Sequence, residues 1–244
     1  MKRYRADLHV HTCLSPCGDL DMSPARIVRS ARDRNIDILA ICDHNSCENA
    51  GAVIRTAAGS PLRVLPGLEV TSREEVHILA LFEKLEDALA MQAVVYANLP
   101  EGTDRSSFGL QAVVNELSEV LDLNDRPLLD ATALTIDQVI EYVHRHAGLA
   151  VAAHIDRQGF GIIGQLGFIP QDIALDALAV SHRLPLGKAR RKFQEYRRFA
   201  FITTSDAHRP EQIGLATTTF LLQKPSLSEI ARAFRGQGGR KILT

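Results

Sequence analysis

Short apolar runs alternate with amphipathic stretches along most of the chain, and their order sets the expected architecture. Asp37 to Cys42 is almost continuously apolar, as in a strand of a parallel sheet covered on both faces. Ala6 to Val10, Arg63 to Val70, Val76 to Phe82, Leu149 to Ala153, Asp176 to Val180, Phe201 to Thr204 and Thr217 to Leu222 read as further strands. Helical stretches lie between them. Ser23-Pro24 supplies a cap and a first-turn proline for a helix running through Ile27, Val28 and Ala31. Others are expected over 47–58 and 83–98, and from the capping box Thr135 to Gln138 as far as Gly148. A basic helix between Arg183 and Arg198 and a closing helix over 226–234 complete the series, ahead of a glycine-rich tail. About seven strand–helix units in 244 residues suit an α/β barrel better than an open sheet.

Residues 99–135 interrupt the alternation. Loop signals stand at Pro100-Glu-Gly-Thr103 and Asn124-Asp-Arg-Pro127, and Leu110 to Leu123 fits a helix or a strand pair equally well. The stretch reads as an insertion on the barrel, a lid or a substrate-facing element. No linker composition or internal repeat marks a boundary, so one domain over 1–244 is expected.

Composition adds few constraints. The apolar share is 45% with no Trp, which predicts an aliphatic core. No run approaches the roughly 18 to 20 apolar residues of a membrane span. The basic start leads straight into a strand rather than into a signal peptide, so a cytoplasmic location without membrane partners is expected. The net charge of −1 gives no general attraction to polyanions. One segment departs from this: Lys188, Arg190, Arg191, Lys192, Arg197 and Arg198 face the single acid Glu195. It reads as a solvated helix face or as a track for a nucleic acid backbone.

The chemistry-bearing residues fall at or just beyond the strands. His9 and His11 alternate along the first strand and project from one face, where two imidazoles can grip one metal ion. Asp43-His44, Glu69, His77, His154, Asp206 and His208 repeat the pattern down the chain. Barrel active sites lie at the C-terminal ends of strands, which is where these residues are expected. Mixed imidazole and carboxylate ligands suit Zn2+, Mn2+ or Fe2+. A rival reading places a structural zinc on Cys13, Cys17, Cys42 and Cys47, although neither pair has the two-residue spacing of such sites. Reduced cysteines lining the mouth of the site fit the spacing better. Asp7 and Asp43 either orient imidazoles or cap strand ends. His144 and His146 fall at a polar helix end and are expected in solvent.

The ordered set resembles the polymerase and histidinol phosphatase (PHP) family of metal-dependent phosphoesterases. The likeness rests on His9-Val10-His11 followed by Asp19, Cys42-Asp43-His44-Asn45, Gly67-Leu68-Glu69 with His77, Ala153-His154, and Ser205-Asp206-Ala207-His208. It implies a distorted (β/α)7 TIM-like barrel and two to three divalent ions held by nine residues. By that resemblance His9, His11, Glu69 and Asp206 hold one ion. Glu69 bridges to a second held by His77 and His154, and Asp19, His44 and His208 hold a third. Such ions suit hydrolysis of a phosphate ester, in a small phosphomonoester or in a nucleotide or oligonucleotide. Glu69, Asp206 and His208 are then the catalytic candidates. Arg157, Arg209, Arg183 and His182, which follow strand ends, are the candidates for holding phosphate, with Arg157 and Arg209 preferred. The alternative is a catalytically silent metal-binding module acting through a partner, against which the complete ligand set argues.

Overall fold

A computed structural model describes residues 1–101 and 109–243. In chain order, β1 (Lys2–Val10) leads to α1 (Pro24–Asp33), β2 (Ile38–His44), α2 (Ala50–Thr56), β3 (Arg63–Thr71), β4 (His77–Leu81) and α3 (Leu85–Tyr96). A two-stranded hairpin, β5 (Ala112–Val114) and β6 (Val120–Leu123), precedes α4 (Ile136–Arg145), β7 (Leu149–Ala152) and α5 (Ile162–Leu166). Then come β8 (Ala177–Val180), α6 (Leu186–Lys192), β9 (Ala200–Thr203), β10 (Thr218–Leu222), α7 (Leu227–Phe234) and β11 (Lys241–Leu243).

One sheet runs in the order β11-β10-β1-β2-β3-β4-β7-β8-β9. Beyond β9 the chain bends beside β1, where the His11 amide bonds the Ala207 carbonyl at 3.0 Å. That contact draws β1, β2, β3, β4, β7, β8 and β9 into a nearly closed, distorted barrel. Asp7 fastens the seam. Its Oδ1 accepts the Ser205 amide at 3.0 Å and its Oδ2 the Gly214 amide at 2.8 Å. Of the two roles expected of it, orienting an imidazole or capping a strand end, these bonds to backbone amides are of the second kind. Burial, partly offset by these hydrogen bonds, raises its carboxyl to about 6.

Side-chain alternation sorts each strand between two apolar layers. Leu39, Ile41, Val64, Leu68, Ile78 and Ala80 pack outward with Ile27, Val53, Met91 and Val139 of the helices. Ile38, Ala40, Cys42, Leu65, Leu79, Leu81 and Val151 fill the barrel interior, joined by Leu227 and Ile230 of α7. Cys42 therefore lies in the core below the site, not at its mouth. Gly67 has no space for a side chain, since a Cβ there would lie 3.1 Å from the Cys42 sulfur and 2.7 Å from the Ala80 carbonyl.

The barrel differs from simple βα repetition in one strand. β4 runs antiparallel to both β3 and β7. His77 is its first residue, so it reaches the site from an N-terminal end, and the expectation of C-terminal ends throughout fails there. The reversed direction puts both ends on one rim, with Thr71 opposite His77. The insertion resolves as the β5–β6 hairpin at positions where helix and strand patterns competed, and Pro100 to Thr103 and the residues up to 108 fall largely outside the described part. Asn49 anchors the hairpin, giving Nδ2–H to the Ala112 carbonyl and accepting the Val114 amide, each at 2.9 Å. The glycine-rich tail ends in β11, an unexpected strand paired with β10. The capping box of α4 forms as expected, with Thr135 Oγ1 accepting the Gln138 amide and Gln138 Oε1 the Thr135 amide. No helix among the described residues is long and apolar enough to cross a membrane.

Candidate metal centre

Parity carries three ligand candidates inward without any distortion. His44, Glu69 and His77 continue the interior-facing positions of β2, β3 and β4, after Cys42, beside Gly67 and before Leu79. Two others require a change of parity. Ala6 and Leu8 face the interior, yet Val10 packs outward, because the pairing of β1 with β2 shifts register between Asp7 and Val10. A bulge of this kind re-aims the side chains after it, and it turns His9 and His11 into the barrel mouth. His154 and Asp206 arrive by a third route, each with positive φ, at 30° and 53°. Asn45 and Phe160 on the same rim also have positive φ, at 51° and 59°. Such backbone persists only where its surroundings impose it, and it collects at functional sites.

These side chains converge. His9 Nε2 and His11 Nε2 lie 3.0 Å apart, with Asp206 Oδ1 at 3.3 and 3.2 Å and Glu69 Oε2 at 3.2 and 3.4 Å from them. Glu69 divides its two oxygens. Oε2 also has His44 Nδ1 at 3.2 Å, while Oε1 faces His77 Nδ1 at 2.9 Å and His154 Nε2 at 3.3 Å. His208 stacks on His11 with ring centroids 4.0 Å apart. Three groups have ligand atoms within 4.8 Å of one another: His9, His11, Glu69 and Asp206; His44, Glu69 and His77; and His11, His44 and His208.

Buried hydrogen bonds set the tautomers. Ser15 gives its hydroxyl proton to Asp43 Oδ1 at 2.7 Å, so its oxygen accepts Nδ1–H of His11 at 2.9 Å. In the neutral imidazole the Nε2 lone pair of His11 is thereby left facing the cluster. Asp43 is held by the Thr12 amide and hydroxyl as well, at 2.6 and 2.7 Å. It orients an imidazole through a serine. In the same way the Asp206 carbonyl, 2.9 Å from Nδ1 of His208, can only accept, and Nε2 of His208 is left free.

Electrostatics show what the cluster lacks. Burial alone would lower the His11 pKa, yet Asp206 and Glu69 lift it to about 10. Burial would likewise raise Glu69 and Asp206, but the surrounding imidazoles hold both carboxyls well below the usual range. Burial depresses His44 and His154, and burial together with the charge of His11 lowers His208 to about 4. Two ionised carboxylates thus share one buried centre with a crowd of imidazoles, and favour positive charge there. Among the described residues His44 Nδ1, which faces Glu69 Oε2, is buried with no hydrogen-bond partner. Divalent ions held by the converging imidazole nitrogens and carboxylate oxygens would satisfy both requirements, so the donor set fits the implied metals.

The other expected site residues sit further out. Asp19 is exposed, its Oδ1 taking the Asp21 amide at 2.9 Å, and only its own amide touches the site, on the His208 carbonyl. Arg157 is in the site, with Nη1 2.6 Å from Asp206 Oδ2. Arg209 is exposed at the start of the turn 210–212. His182 and Arg183 are exposed on the loop after β8, which Asp156 ties beside Arg157 by accepting the Ser181 amide at 2.8 Å and hydroxyl at 2.6 Å. The basic residues of α6 face solvent apart from the half-buried Arg190. Cys13, Cys17, Cys42 and Cys47 are all free thiols, and none joins a metal-capable group among the described residues. His144 is exposed but paired with Asp176 at 2.8 Å, and His146 is half-buried. Ser15 and Phe160 were not foreseen. Ser15 stands four residues past His11, a spacing that carries no general signal.

Comparison with known proteins agrees with this geometry. A family model described as the PHP domain matches residues 7–171, and one described as PHP-associated matches residues 187–237. An uncharacterized protein of Bacillus subtilis (strain 168), YqxK, is 25% identical over 260 residues, covering 100% of this chain and 65% of that protein. The lesion-specific endonuclease PfuEndoQ from Pyrococcus furiosus superposes with a TM-score of 0.78 at 17% identity, covering 99% of this chain and 58% of that one. A second Endonuclease Q structure, with a 27-mer duplex carrying an abasic lesion at the active site, gives a TM-score of 0.69 at 16% identity over 98% of this chain and 58% of that one. The chain thus spans about two thirds or less of the length of these relatives. With the PHP model covering most of the chain and its His, Asp and Glu cluster assembled on a distorted barrel, the protein belongs to the PHP family.

Proposed function

We propose that this protein is a metal-dependent phosphoesterase working at a polynuclear centre of Zn2+, Mn2+ or Fe2+, with a nucleotide or nucleic acid ester as substrate. The observation that carries the reading is the division of Glu69, whose two oxygens face two different sets of imidazoles. His9, His11, Glu69 and Asp206 form one ligand set, and Glu69, His77 and His154 a second. His44 and His208, with Asp19 from the loop above them, would supply a third. Bound there, the ions lower the pKa of water and neutralise phosphate oxygens.

The remaining work falls to the chain. Arg157 is the cation best placed to share a phosphate with the centre, because it already lies against Asp206. A guanidinium there offers charge-assisted, paired hydrogen bonds to the ester. Arg209, Arg183 and His182, exposed on neighbouring loops, are the further candidates for holding phosphate. Neutral Nε2 of His208, fixed by the Asp206 carbonyl, faces the centre as a ligand or a proton acceptor. The exposed cations of α6 supply a track for a longer polyanion.

Screening of the purified, metal-loaded protein against phosphomonoesters, nucleoside bisphosphates and short oligonucleotides tests the proposal. Hydrolysis abolished by chelation and restored by Mn2+ or Zn2+ is the expected result. Tight metal binding with no turnover on any class would instead favour the silent binding module.

A further inference from the structure

Phe160 has no explanation in the fold. It follows β7 in the turn that carries Arg157, and its ring stacks on His77 with centroids 4.5 Å apart and planes 19° from parallel. Its carbonyl accepts the His77 amide at 2.9 Å. Nδ1 of His77 lies 2.9 Å from Glu69, so the phenyl ring stands one imidazole away from the centre. Yet Phe160 is 41% exposed and has a φ of 59°, a conformation costly for a bulky residue. The turn is locked behind it, since a Cβ on Gly161 would lie 2.6 Å from the Arg157 carbonyl and 2.9 Å from that of His154. A glycine or asparagine would make this turn more cheaply, and the exposed part of the ring gains nothing from folding.

We infer that Phe160 is a stacking platform for an aromatic ring of the substrate, and that the substrate is therefore a nucleotide ester whose base lies on Phe160 while its phosphate lies at the centre. The inference rests on the phosphoesterase reading and narrows its substrate class. One face of the ring is taken by His77, which fixes its plane, and the remaining exposure is open to a base. Arg157 in the same turn fixes the phosphate end, and the sugar spans the width of the His77 imidazole between them. Aromatic platforms of this sort bind bases through their π faces whatever the base.

The test compares adenosine 5′-monophosphate with ribose 5-phosphate on the metal-loaded protein, by equilibrium binding and by kcat/KM wherever either is hydrolysed. The parent should prefer the adenosine ester. Phe160→Leu should remove about 5- to 100-fold of that preference, the scale of one base–aromatic stack, while ribose 5-phosphate changes less than about twofold. Phe160→Tyr should restore the preference. If the parent shows no preference, or Phe160→Leu weakens both esters alike, Phe160 merely shields His77 and the inference is wrong. Failure to hydrolyse either ester or any other would sink the phosphoesterase reading, with the binding comparison still deciding the platform.

Discussion

Arg157 holds one oxygen of Asp206 while His9 and His11 face the other: Nη1 lies 2.6 Å from Oδ2, and Oδ1 lies 3.3 and 3.2 Å from the two imidazoles. The carboxylate thus joins the candidate metal ligands to the cation proposed for phosphate. Arg157→Ala should leave metal content within about 20% of the parent and lower kcat/KM by a factor on the order of 100, the scale of losing one strong electrostatic contributor. Arg157→Lys should recover only part, because an ammonium cannot form the paired contact. Metal analysis beside steady-state kinetics checks both, and equal activity in Arg157→Ala would remove Arg157 from the site.

Glu69→Gln keeps the shape of the central carboxylate and removes its charge. The imidazoles that hold Glu69 ionised lose their counter-charge, so metal content should fall and turnover should drop by about 100-fold or more. Arg29→Ala, on the exposed face of α1, should leave both unchanged. Elemental analysis of the two variants decides the matter.

Ser15 offers a test of positioning. Ser15→Ala breaks the link between Asp43 and His11 and leaves the buried Asp43 short of a donor. Metal affinity should weaken by about 10- to 100-fold, as when an outer partner of a ligating histidine is lost. Ser15→Thr should retain part of it. Competition with a chelator of known affinity measures the change, and an unaltered affinity would show that His11 needs no such orientation.

Far from the centre, Asp176 raises the pKa of His144 above the ordinary value through their hydrogen bond, against a smaller opposing effect of burial. A histidine raised on folding adds stability that is fully present below its unfolded pKa and is lost as pH rises through the folded value. Urea midpoints should therefore decline from below about pH 6.5 upward through that folded value. His144→Gln should flatten that part of the profile, and an unchanged slope would discount the pair.

The strand series, the barrel and most of the candidate site were legible because parity did the work. His44, Glu69 and His77 sit on the inward positions of apolar strands, and alternation alone aims them. His9 and His11 were legible for an incomplete reason: their spacing puts them on one face, but the shift between Asp7 and Val10 decides which face. The reversed β4 was hidden, since a strand's direction leaves no mark on a short apolar run. The role of Asp7 stayed open between an imidazole and a strand end, because its partners, Ser205 and Gly214, come from the far end of the chain. The β5–β6 hairpin was undecidable for another reason, because β6 is wholly exposed and carries no burial pattern to read.

The place where the barrel closes is also the place where the candidate ligands meet, and this ties the proposed catalysis to folding order. His11 and Asp206 are 195 positions apart, so the donor set does not exist in any nascent chain shorter than nearly the whole barrel. Closing so long a loop is entropically costly. A cation captured there acts as a late cross-link, tethering the two ends much as a disulfide would, with a stabilisation on the order of 5 kcal/mol in the chain-entropy picture. The apoprotein should accordingly fray first along the β1–β9 seam, and metal supply would set its lifetime as well as its activity.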